Sequence, residues 1–145
     1  MMQTDFSCSR WARLACLVVG GFALWACGDD GEESGGPPPP SSLEVEADEY
    51  QFDPDSWTAG AGEAFSVDFG NIGQLEHEWV VIDLGEDIAA ESEYTEDRVL
   101  VQVPPIPAGE SVTEQLTIDE PGTYQVVCAL PGHFDAGMEG SLVVE

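Results

Sequence analysis

The chain has 145 residues, 29 acidic and three basic, with a formal net charge of −26. That length suits one domain, and so negative a surface repels nucleic acid and anionic lipid headgroups, which argues against direct binding to either. The same acidity can steer a basic protein partner, keep the domain soluble and monomeric, or reflect adaptation to high salt, where screening is strong.

The start of the chain does not read as part of that domain. Arg10 and Arg13 precede Leu14 to Trp25, a stretch that is almost wholly apolar and carries no charge. It is too short to span a bilayer but fits the apolar core of a secretory signal. It ends in Leu24-Trp25-Ala26-Cys27-Gly28. A Leu three residues before a Cys, with a small residue directly before it, resembles the bacterial lipoprotein cleavage site. Trp25 departs from the small residue usual there, and an ordinary signal peptide cut nearby is the alternative. The expectation is therefore a lipoprotein-type signal over residues 1–26, with a lipid on Cys27. Cys8 and Cys16 leave with the signal either way. Residues 27–42 follow as a tether: Gly-rich and acidic at first and then four prolines, without a hydrophobic residue beyond Cys27. Such a segment cannot build a core; its first half is flexible and its second stiff and extended.

Residues 43–145 read as short strands between turn signals. Leu43 to Ala47 and Ala64 to Phe69 alternate apolar and polar, as half-buried strands do. Glu78 to Asp83 reads as a buried strand beginning just after His77, and Glu86 to Arg98 as an acidic loop or single helical turn. Val99 to Val103, Ser111 to Ile118, Thr123 to Val127 and Ser141 to Val144 complete the set, with Pro and Gly between them. Six to eight such strands indicate an all-β sandwich. Trp57, Trp79, Phe65 and Phe69 are assigned to its core.

The chemistry concentrates in Cys128-Ala129-Leu130-Pro131-Gly132-His133-Phe134-Asp135-Ala136-Gly137-Met138. A thiol, an imidazole and a thioether stand there with four residues between each pair. Beyond Cys27, the expected mature chain has one other soft or imidazole ligand, His77. The strand reading puts Cys128 at the end of one strand and Met138 just before the last, so their loop lies at one pole of the sandwich, which His77 can share. Pro131-Gly132 and Gly137 supply the turns. Two imidazoles, a thiolate and a weak axial Met form the donor set of blue-copper sites, whereas zinc ordinarily takes a tetrahedral set without thioether.

In this loop the chain resembles the cupredoxins, the small blue-copper proteins, with the ligand spacing of the auracyanin and rusticyanin subgroup. The loop is one residue longer than that of azurin between His and Met, and longer than that of plastocyanin between Cys and His. Tyr50-Gln51-Phe52-Asp53-Pro54, Ala61-Gly62-Glu63 and Asn71-Ile72-Gly73 are similar to the family's N-terminal half. The resemblance implies a Greek-key sandwich, one copper ion held by His77, Cys128, His133 and Met138, and single-electron transfer without substrate turnover. Ala129 stands where multicopper oxidases place a second histidine, and the loop lacks the second Cys of a dinuclear copper centre.

Two positions depart from the family. The residue after the upstream His is often Asn or Ser and helps tie the two ligand loops together. Glu78 stands there, so the tie is in doubt and a carboxylate could tune or compete for the metal. Glu76 is likewise unusual. Glu78 and Asn71 are candidates for supporting the ligands, and Leu130, Pro131, Phe134 and Ala136 for an apolar docking collar around His133.

The functional expectation is a monomeric, lipid-anchored carrier facing the periplasm or exterior. It would exchange electrons with a redox partner such as a c-type cytochrome or a membrane oxidoreductase, touching the membrane only through its lipid. A copper-handling chaperone or store is the alternative, and a recognition or adhesion sandwich with a coincidental loop is a third reading.

Overall fold

The structure, a computed structural model, describes residues 42–145. The expected signal, Cys27 and all of the tether but Ser42 lie outside the described residues. Among the described residues nine strands occur in the order β1 (Ser42–Asp48), β2 (Gln51–Asp53), β3 (Ser56–Ala59), β4 (Ala64–Asn71), β5 (His77–Ile82), β6 (Val99–Ile106), β7 (Ser111–Thr117), β8 (Gly122–Val127) and β9 (Glu139–Val144). They form two sheets, β2-β1-β4-β7 and β3-β9-β8-β5-β6. The all-β sandwich expected from the alternation is present.

In the first sheet alternation decides which side chains enter the core. Leu43, Val45 and Ala47 of β1 and Phe65, Val67 and Phe69 of β4 are buried, while Glu44, Glu46 and Asp68 between them are exposed. A one-residue slip would exchange these sets, so burial fixes the parallel register of β1 on β4, Leu43 opposite Val67 and Val45 opposite Phe69. On the outer face the same register sets Glu44 opposite Asp68. Hydroxyls relieve Asp68: Ser42 and Thr113 each donate to it at 2.6 Å.

The second sheet is covered on both faces at β5, all of whose residues are buried. Trp79 and Val81 join the main core, with Trp57, Tyr124, Leu142 and Met138. Val80 and Ile82 face the other way, into a cluster with Ile88, Val127 and Phe134. That outer cover comes from residues 83–98, which cross the sheet between β5 and β6 and include the 3₁₀ turns Glu91–Glu93 and Glu96–Arg98. Gln125 brackets Ile88, accepting its N–H at 2.9 Å and donating to its carbonyl at 3.0 Å. Each large side chain so buried contributes about 1.5–3 kcal/mol.

Two strands, β2 and β3, go beyond the sequence expectation. Phe52 is the one buried residue of β2, and β3 pairs parallel with β9, Trp57 opposite Leu142. All four aromatics assigned to the core are buried. Trp57 and Trp79 meet edge to face at 5.7 Å, and Trp57 Nε1 donates to the Glu44 carbonyl at 3.1 Å.

Candidate metal centre

His77 is the first residue of β5, where it pairs with Ile106 of β6. The loop before it is held by Asn71, which is buried at the end of β4. Asn71 Nδ2 donates to the carbonyls of Leu75 at 2.7 Å and Ile106 at 3.0 Å, and its Oδ1 accepts the Gly73 N–H at 3.1 Å. One side chain thus joins both segments that flank His77. Glu49 reaches the same loop from the turn between β1 and β2, and its Oε1 accepts the N–H groups of Gln74 and Leu75.

Cys128 follows β8 directly, and Met138 directly precedes β9. The loop between them closes on itself. Cys128 N–H donates to the Met138 carbonyl at 3.2 Å and Met138 N–H to the His133 carbonyl at 3.0 Å. Gly132 and Gly137 have φ of 86° and 103°, conformations that a side chain resists, with open space around both. The cover of the second sheet grips this loop too. Gly132 N–H donates to Glu91 Oε2 at 2.6 Å, and Glu91 N–H donates to Asp135 Oδ1 at 3.0 Å.

These elements bring the ligand atoms of His77, Cys128 and His133 within 4.8 Å of one another, all three residues buried. Cys128 Sγ lies 3.3 Å from His133 Nδ1, and the two imidazole rings stand 4.9 Å apart. Neither ring nitrogen of His77 has a hydrogen-bond partner among the described residues. An imidazole buried with nothing on either nitrogen is costly unless something else occupies it, and a metal on one nitrogen meets that need. Met138, also fully buried, closes the same loop. A nitrogen, nitrogen, sulfur set is soft enough for copper and poorly suited to magnesium or calcium.

The electrostatics fit a site completed by a cation. Burial pushes the Cys128 thiol up to about 11, against the N–H groups of Glu78 and Leu130, which pull it down. A metal binding there must displace that proton. Burial, and then the charge of His133, lowers the pKa of His77, partly offset by Glu49 and Asp48.

Residues 40–145 match the family described as copper binding proteins, plastocyanin/azurin family. The chain belongs to this family. It is 33% identical to auracyanin-B of Chloroflexus aurantiacus, across 71% of this chain and 52% of that protein. With auracyanin-A of the same organism it is 28% identical, across 93% of this chain and 96% of that one. It thus spans about half of the first relative and nearly all of the second. The copper-resistant cuproprotein CopI of Rubrivivax gelatinosus is 32% identical, across 69% of this chain and 63% of CopI. Among solved structures, reduced auracyanin from Roseiflexus castenholzii superposes with a TM-score of 0.65 at 26% identity, covering 72% of this chain and 97% of that one.

Against this cupredoxin frame, Glu78 departs from the sequence expectation in a way that helps the site. The main chain supplies the tie that was in doubt, through the N–H of Glu78 beside the Cys128 sulfur. The Glu78 carboxylate accepts the N–H of Ala129, on the side of the sheet where Ala129 and Tyr94 pack against Val80 and Ile82. Burial, opposed by that hydrogen bond, raises its pKa. Its side chain therefore braces the cysteine loop from the outer face, and the cluster of close ligand atoms comprises His77, Cys128 and His133 without it. Asn71, the other expected support, acts on the loops flanking His77.

The expected docking collar is only partly exposed. Pro131 and Ala136 are exposed and Leu130 half-buried. Phe134 is 9% exposed, because its ring fills the outer cluster with Val80 and Ile82. Sequence reasoning missed three residues. Tyr50, in the left-handed region with φ 64°, sets its ring edge-on to His133 at 5.3 Å, and Glu49 and Glu91 grip the ligand loops. Tyr50 stood within a stretch similar to the family, but nothing local marked the two carboxylates.

Proposed function

We propose that the domain holds one copper ion through His77, Cys128, His133 and Met138 and passes single electrons between redox proteins, with no substrate turned over. The observation that carries this is the convergence of two buried imidazoles and a buried thiol within 4.8 Å, one imidazole otherwise unpartnered. When bound, copper supplies a site that gains and loses one electron. The chain's own part is to keep the donors still. His77 is fixed by a strand paired on both sides, and the Cys128–Met138 loop by its own main-chain bonds and by Glu91. Such preorganisation keeps rearrangement small when the charge changes. His133, 7% exposed beside Pro131 and Tyr50, offers the edge through which an electron leaves. The acidic surface favours a basic partner, a c-type cytochrome or membrane oxidoreductase. The sequence around Cys27 supports a lipid anchor on a bacterial membrane, with a monomeric domain facing the periplasm or exterior.

The test is to add cupric ion to the purified apoprotein and record the visible spectrum. An intense blue or green thiolate-to-copper band, abolished by Cys128→Ser, is the expected result. Its absence from the wild type would sink the reading. A second reading, copper handling, draws on the similarity to CopI. It predicts instead a colourless product that binds cuprous ion alone.

A further inference from the structure

The copper reading above, on which this inference rests, gives one nitrogen of His77 to the metal. The other then carries a proton, since a neutral imidazole has one N–H and one lone pair. Metal-bound imidazoles ordinarily pass that N–H to a carboxylate, a carbonyl or a water. Yet neither nitrogen of His77 has a hydrogen-bond partner among the described residues.

The local packing points to a candidate acceptor. A Cβ added to Gly73 would stand 3.2 Å from His77 Nε2 and 2.8 Å from Glu49 Oε1. The imidazole nitrogen and the carboxylate therefore converge on one face of a residue that has no side chain. With Nε2 turned toward Gly73, Nδ1 is the nitrogen left for the metal, matching His133, whose Nδ1 points at Cys128 Sγ. Glu49 is itself held in place. Its Oε1 bonds the Gln74 and Leu75 N–H groups, and its own N–H donates to Asp48 Oδ1 at 2.7 Å. The next residue is Tyr50, packed on His133. One turn of three residues thus addresses both histidines, Glu49 at His77 and Tyr50 at His133.

We propose that Glu49 is a positioning residue for the copper centre, its carboxylate accepting the Nε2–H of His77 directly or through one bridging water. The bond selects the nitrogen that faces the metal and makes that imidazole a better donor, which favours Cu(II) over Cu(I). Gly73 leaves the space this needs; a side chain there would wedge the carboxylate away.

The experiment compares the full chain with Glu49→Gln and Gly73→Ala. Gln keeps an oxygen for the Gln74 and Leu75 amides but removes the charge. Ala at 73 keeps the charge but displaces it. Both are expected to weaken Cu(II) relative to Cu(I) about tenfold, a rise in reduction potential of about 59 mV. In nitrogen-15 spectra of the Zn(II)-loaded protein, the His77 Nε2–H should be protected from exchange in the wild type, less protected in Glu49→Gln, whose neutral amide oxygen is the weaker acceptor, and unprotected in Gly73→Ala. An unchanged potential and protected Nε2–H in both would overturn the proposal. So would an effect in Gly73→Ala alone, which would assign it to the loop and not the carboxylate. A wild type that takes up no copper would strike the copper reading itself, whereas a blue wild type with indifferent variants strikes only Glu49.

Discussion

The two histidines of the centre are held by different kinds of structure. His77 begins a strand buried on both faces, and two of the groups around it come from far along the chain, Ile106 across the sheet and Glu49 from the first turn, while Asn71 at the end of β4 ties the loop before it to Ile106. His133 sits in a loop whose geometry is mostly its own, set by two glycines with positive φ and by bonds among residues 128–138, with Glu91 as the outside support. Framework fixes one ligand and local conformation the other. Damage to the first should therefore cost global stability, and damage to the second should loosen the site before it loosens the fold.

The strongest way to break this contrast is Asn71→Ala. It removes three hydrogen bonds beside His77, two from Nδ2 and one to Oδ1. Chemical denaturation of the apoprotein should show a loss of about 1–3 kcal/mol, the cost of buried polar groups left without partners. A change within error would mean that β5 alone holds its first residue. A smaller effect is expected from Gly137→Ala, which forces a side chain into φ 103° with open space around it. About 1–2 kcal/mol of strain should appear, mainly as faster amide exchange in residues 131–138, with β5 amides unaffected. Equal loosening of β5 would show that the two supports are one unit. The smallest effect calibrates the others from a site that touches neither histidine. Ser42 and then Thr113 hold the Asp68 carboxyl below its ordinary 3.8. A carboxyl lowered by folding adds stability above its unfolded pKa and loses it as pH falls through the folded one. Asp68→Asn should therefore flatten the acid limb of the stability curve below about pH 4, leaving the copper spectrum unchanged at neutral pH. A shifted spectrum would contradict the separation of outer sheet and metal pole.

How much of this was legible in the sequence follows the same division. The Cys128–Met138 loop could be read directly, because its turns and donors are contiguous and glycines mark the positive-φ positions. Strands β1 and β4 announced themselves by alternation, since one face of their sheet meets water. β2 escaped because it buries one residue beside Pro54, and β3 because its partner is the last strand of the chain. Glu78 invited a reading by sequence adjacency to His77, but its carboxylate turned to the opposite side of the sheet and serves the loop instead. Glu49 was illegible: it is one acid among 29, and what sets it apart is a pair of main-chain N–H groups 25 and 26 residues further on.

The direction of β1 has a consequence for how the molecule meets others. The strand starts at Ser42 and ends at Asp48, which opens the turn that carries Tyr50 onto His133. Seven extended residues cover roughly 20 Å, so the chain enters this domain about that far from the metal edge. The metal pole and the first described residue therefore lie at opposite ends of one strand, so that a label placed at Ser42 reports on the domain without crowding the metal edge.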